Sequence, residues 1–72
     1  MYNNRIKLKD YMKPRELIKL LEENGWYEIN KGKGSHRHFK HDDRANKITV
    51  PFHNKDLKTG TLNGILKDAG LK

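Results

Sequence analysis

The sequence predicts an α+β fold, a three-stranded antiparallel sheet with two helices on one face, in the order helix-strand-strand-strand-helix. Three observations carry this prediction. Apolar residues recur at helical spacing near both ends, as Leu17, Ile18 and Leu21 and again as Leu62, Ile65, Leu66 and Ala69. Between them lie three short stretches rich in β-favouring residues, separated by turn chemistry. The connections are too short for parallel crossovers, so the strands form a meander and both apolar stripes share one sheet face.

Each element follows from local chemistry. Residues 1–11 form an irregular arm that holds only Ile6, Leu8 and Tyr11 for packing. The first helix is expected from Pro14 to Asn24, because proline suits a first helical position where its missing N–H had no helical partner. Leu20 widens its stripe, and Gly25 stands where a left-handed residue would end it. The first strand is Trp26 to Asn30, and Lys31-Gly32-Lys33-Gly34 is a turn of hairpin length. Ser35 to His41 is the second strand, residues 42–46 a polar turn, and Lys47 to Phe52 the third strand. Pro51 near the end of that strand marks an edge position or a terminus. The second helix runs to Ala69, capped at its start by Thr59 or Thr61 and closed by Gly70, with Leu71 packing beyond it. Gly64 in its middle costs up to about 1 kcal/mol against alanine, a cost offset if it brings the helix close to the sheet.

Composition narrows the function classes. With 72 residues there is room for one domain, expected over residues 12–72, with a small core. There is no cysteine, which excludes disulfides, thiolate zinc sites and a cysteine nucleophile. That pattern fits a cytoplasmic protein. No apolar run approaches the roughly 18 residues of a membrane span, and the polar, basic first ten positions lack the apolar core of a secretory signal. The 16 Lys and Arg outnumber the 9 Asp and Glu, giving a net charge of +7, a field that favours nucleic acid or an acidic protein partner over a membrane.

Strand two holds the chemistry. Alternation puts Ser35, Arg37, Phe39 and His41 on one side and His36, His38 and Lys40 on the other. Phe39 is the apolar member, so its side faces the helices and the second set faces outward. Arg37 and His41, nearer the strand ends, are then expected to reach for solvent. Two imidazoles and an ammonium on an open face suit RNA cleavage. RNA carries its own nucleophile in the 2′-OH. The enzyme has only to move protons, which histidine does well near neutral pH, and to steady the phosphate charge, which lysine and arginine do. His36, with His38 and Lys40 as possible helpers, is thus a candidate for the proton transfers, a choice among the three that alternation alone leaves open. Lys31, Lys33, Gly34, Ser35, Arg37 and Lys40 form the RNA-binding set, and neither metal nor cofactor is needed.

Plainer readings stand beside these. His36 is also an ordinary surface histidine, the lysines a solvated face, and the glycines of the turn a matter of geometry. Trp26 and Tyr27 are expected to pack rather than to stack on bases. The series His36, His38, His41 and His53 invites a zinc site, but alternation puts His41 opposite the first two. Glu22, Glu23 and Glu28 make no paired-carboxylate pattern, and Gly32-Lys33-Gly34 lacks the strand–helix context of a phosphate loop.

At these residues the chain resembles the HicA family of toxin mRNA interferases. The matching segments are Arg15-Glu16-Leu17-Ile18-Lys19-Leu20-Leu21, Asn24-Gly25-Trp26, Gly34-Ser35-His36, and Thr49-Val50-Pro51 with His53. Gly60-Thr61-Leu62 with Ile65-Leu66, and Ala69-Gly70-Leu71, complete the series. Their order and spacing over residues 12–72, rather than any one of them, carry the likeness. The resemblance implies a double-stranded-RNA-binding-like fold, a ribosome-independent endoribonuclease acting on mRNA, and a HicB-like antitoxin that masks the active surface. It places the essential histidine on His36 and the turn into strand two on Gly34. The alternative is a non-catalytic RNA-binding module of the same fold, which would bind RNA and release no product.

Overall fold

In the computed structural model, residues 12–29 and 35–72 are described. The elements run α1 (Pro14–Glu23), β1 (Trp26–Ile29), β2 (His36–His41), β3 (Arg44–Pro51) and α2 (Thr59–Asp68). The strands lie in the order β1-β2-β3, both pairs antiparallel. The expected α+β order and meander are therefore present. The arm expected over residues 1–11 and the turn 31–34 lie outside the described residues.

α1 starts as proline chemistry dictates. Pro14 is its first residue, and the Lys13 carbonyl accepts the N–H groups of Glu16 and Leu17 at 2.9 and 3.1 Å. The Glu16 carboxylate reaches back to the Lys13 N–H at 3.0 Å, occupying a donor the helix itself leaves open. The helix ends one residue before the expected Asn24, which becomes the cap, and Gly25 follows at φ 92°. α2 closes on Gly70 at φ 77°, where the Gly70 N–H meets the Lys67 carbonyl and the Leu71 N–H the Leu66 carbonyl at 3.0 and 2.8 Å. This paired closure satisfies two carbonyls of the last turn and seats Leu71 against the core.

The start of α2 corrects one expectation. Neither Thr59 nor Thr61 is the N-cap; Lys58 is, and its side chain makes no capping bond. Leu57 sets this register, because it is buried and its N–H donates to the Met12 carbonyl at 2.8 Å. The Lys58 carbonyl is thereby placed to accept the Leu62 N–H at 2.9 Å. Gly64 also departs from expectation. It is exposed, and a Cβ there would meet nothing within 4 Å, so it serves no close approach to the sheet.

The strand boundaries shift for two physical reasons. Asp42 and Asp43 alone make the β2–β3 turn, so Arg44-Ala45-Asn46, expected in that turn, belongs to β3. The pairs His41↔Arg44 and Phe39↔Ile48 leave Lys40 facing a bulge of β3, which absorbs the extra residues. β3 ends at Pro51, on the sheet edge, so Phe52 lies just beyond the strand. It still extends the ladder, its N–H donating to the Ser35 carbonyl at 2.6 Å. β2 begins at His36 rather than Ser35, and Asn30 lies outside the described residues.

One sheet face carries the core. Trp26, Phe39, Ile48 and Val50 meet Leu17, Leu21, Leu62 and Leu66 from the helices, all of them buried. Among the described residues, no helix is long and apolar enough to cross a membrane. Phe39 is fully buried at the centre of the sheet, so Phe39→Ala is expected to cost about 3–5 kcal/mol in urea unfolding. Gly64→Ala is expected to raise stability by about 0.5–1 kcal/mol in the same assay, since the new methyl stabilises the helix and clashes with nothing.

Candidate active site

Burial of Phe39 orients β2. Its near neighbours in the strand, His38 and Lys40, point to the opposite face, as does His36. The sheet register extends that face across all three strands. Tyr27 lies beside Lys40, Ile29 and Thr49 flank His38, and Pro51 lies beside His36. His36 is exposed, whereas His38 and Lys40 are half-exposed. Lys47 and Thr49 flank the buried Ile48 and so point outward too, both exposed. The three residues predicted to work together, His36, His38 and Lys40, do share one face.

The histidines differ in their partners. The His38 Nδ1 lies 3.0 Å from the Thr49 hydroxyl, which orients its ring across the strand pair. His41 belongs to the fold instead. Its Nδ1 accepts the Asp43 N–H at 3.0 Å and its Nε2 faces the Asn24 carbonyl at 3.0 Å, while the ring meets Trp26 edge-on with centroids 5.2 Å apart. His41 thus ties the β2–β3 turn to the end of α1, rather than reaching for solvent as expected. The Nδ1 of His53 accepts the Lys55 N–H at 3.2 Å in the loop before α2. Among the described residues the His36 ring has no hydrogen-bond partner. No three metal-ligating side chains converge among the described residues either, so the histidine series does not assemble a zinc site there.

Arg37 lies on the helix side and reaches solvent only in part, its side chain 31% exposed. Its Nη1 lies 3.4 Å from the Glu28 carboxylate, and its guanidinium carbon stacks 4.2 Å above the Phe52 ring centroid. Arg37 is therefore on the helix side, apart from the other members of the expected RNA-binding set. Glu28, which sequence reasoning passed over, has a side chain only 8% exposed, and its Oε2 has no partner among the described residues. Strand alternation from Trp26 could have found it, since positions 26 and 28 share a face. Ser35 is exposed at the mouth of β2, while Lys31, Lys33 and Gly34 lie outside the described residues.

Two anchors thus bracket His36. On one side the Phe52 N–H holds the Ser35 carbonyl; on the other, Glu28 and the Phe52 ring hold Arg37. The backbone is held on both sides, and among the described residues no group engages the imidazole. That is the arrangement expected of a positioned proton carrier.

Residues 14–71 match the family model described as HicA toxin of bacterial toxin-antitoxin. The chain belongs to the HicA toxin family. A chain in the solved structure of a toxin-antitoxin complex from Streptococcus pneumoniae is 37% identical to this HicA toxin, with a TM-score of 0.71. The match covers 83% of this chain and 98% of that one. No curated protein matches. The family match spans every element of the fold and both anchors of His36.

Removing Arg37 would strand a buried carboxylate. Arg37→Ala is expected to destabilise this HicA toxin by about 1–3 kcal/mol in urea unfolding. Lys40→Ala, on the open face, is expected to change stability by about 0.5 kcal/mol or less.

Proposed function

We propose that this HicA toxin is an endoribonuclease that cleaves mRNA by acid–base catalysis at His36, without a metal, and is neutralised by a HicB-like antitoxin. The observation that carries this reading is the placement of His36, a histidine with its backbone held on both sides and no ring partner among the described residues, on a cationic open face. In this mechanism His36 takes the proton of an RNA 2′-OH. The 2′-oxygen then bonds to the adjacent phosphorus, and the bond from phosphorus to the 5′-oxygen breaks. A proton from His38, Lys40 or water completes the leaving 5′-OH, and a 2′,3′-cyclic phosphate remains on the other fragment. Lys40 and Ser35 meet the phosphate, alongside Lys31, Lys33 and Gly34 of the segment that precedes β2. Arg37 contributes through the strand it anchors.

An antitoxin supports inhibition most simply by covering the same face. The likeness to a chain from a toxin-antitoxin complex supports such a partner, and the net charge of +7 suits an acidic one.

The test compares the wild type with His36→Ala on a purified mRNA fragment and in cells under tight induction. His36→Ala is expected to lower the cleavage rate by about 10²–10⁴-fold and to abolish growth arrest. RNA binding and urea stability are expected to persist. EDTA is expected to leave wild-type cleavage unchanged, and the fragments to end in cyclic phosphate and 5′-OH. Cleavage by His36→Ala at the wild-type rate would overturn the assignment, and binding without product by the wild type would leave an RNA-binding module.

A further inference from the structure

Tyr27 departs from the expectation that it packs. Trp26 beside it is buried, but Tyr27 is 45% exposed, the one exposed large hydrophobic side chain among the described residues. It stands on the face that carries His36, directly across the β1–β2 pair from Lys40. Its hydroxyl donates to the Asp42 carboxylate at 3.3 Å, tying the far end of the ring to the β2–β3 turn. A large aromatic face held out of the core in this way asks for a ligand.

We propose that Tyr27 is a stacking platform for a base of single-stranded RNA flanking the scissile phosphate. The inference rests on the RNA-cleavage reading and extends it to a residue outside the proton-transfer set. The surroundings favour RNA over a docked protein. Protein docking patches are contiguous apolar areas of hundreds of Å², whereas Tyr27 is one exposed ring beside Lys40, on a face shared with His38, Lys47 and the half-buried Ile29 and Pro51. A base needs one ring, and cations that track the phosphate chain beside it complete the usual single-strand platform. Spacing sets which base is held. Tyr27 pairs with Lys40, four positions along β2 from His36, which is about 13 Å at the rise of a strand. The stacked base therefore belongs to a neighbouring nucleotide, and the platform fixes the strand's direction across the face.

The experiment uses the full chain carrying His36→Ala, so that RNA is bound without being cut. A fluorescent single-stranded RNA oligonucleotide is titrated against this parent and against Tyr27→Phe and Tyr27→Leu in the same background. Tyr27→Phe keeps the ring and is expected to bind within about twofold of the parent. Tyr27→Leu keeps apolar bulk but no π-face, and is expected to bind about tenfold or more weakly. Abasic nucleotides are then scanned along the oligonucleotide. One flanking position is expected to weaken the parent as much as Tyr27→Leu does and to have no further effect on Tyr27→Leu. That non-additivity is something a loss of stability would not produce. Equal binding by the parent and Tyr27→Leu would overturn the platform alone and point to a protein contact at this ring. A parent that bound no RNA would overturn the platform together with the cleavage reading beneath it.

Discussion

Burial of Phe39 at the centre of β2 fixes which way every other side chain of that strand points. A strand alternates with a period of two, so a slip of one residue would send the histidines inward and the phenylalanine into water. The helices hold the register in place by covering only one face, where Trp26, Ile48 and Val50 join Phe39. The open face is thus a consequence of the core. His36, His38 and Lys40 are displayed because the apolar residue between them has a single acceptable location.

The same core imposes a cost that the site uses. Glu28 and Arg37 share the buried parity with Trp26 and Phe39, so a carboxylate and a guanidinium end up on the helix side near the mouth of β2. A half-buried pair of this kind is poor evidence of stability gained, because desolvation offsets much of the attraction. Its value lies in geometry. With the Phe52 ring beneath the guanidinium and the Phe52 N–H on Ser35, the pair holds the chain on both sides of His36. A single histidine carries a demanding role more readily when its backbone does not wander, since small displacements of a catalytic group cost much rate.

The fold was legible in the sequence because its signals are local and mutually consistent. Pro14, Gly25 and Gly70 mark helix ends by backbone chemistry that little else satisfies. Leu17 with Leu21, and Leu62 with Leu66, declare the buried faces at helical spacing. The shifts arose where a distant contact decided the matter. The tie from Leu57 to Met12 placed the cap of α2 on Lys58, and the bulge opposite Lys40 drew residues 44–46 into β3. Of the candidate site, alternation gave the shared face of His36, His38 and Lys40. It did not give the fate of Arg37, His41 or Tyr27, because a long or aromatic side chain at a strand end goes where its cross-strand partner lies. Glu28, Asn24 and Asp42 are those partners, and none is near in sequence to the group it holds except through the sheet.

The division of labour among the histidines follows from these partners. His41 has both ring nitrogens engaged, so its ring is committed to joining the β2–β3 turn to the end of α1. His38 has one nitrogen facing Thr49 and one left over. His36 has no ring partner among the described residues, and it is the most exposed of the three β2 histidines. Among the described residues, ring partners therefore thin out from the turn end of β2 toward its mouth. A proton carrier must release its proton to substrate, and a ring already engaged at both nitrogens has none to exchange without breaking the fold. Within the proposed mechanism this ordering favours His36 as the proton carrier and leaves His38 a nitrogen with which to assist, while the partners of His41 give it a structural role.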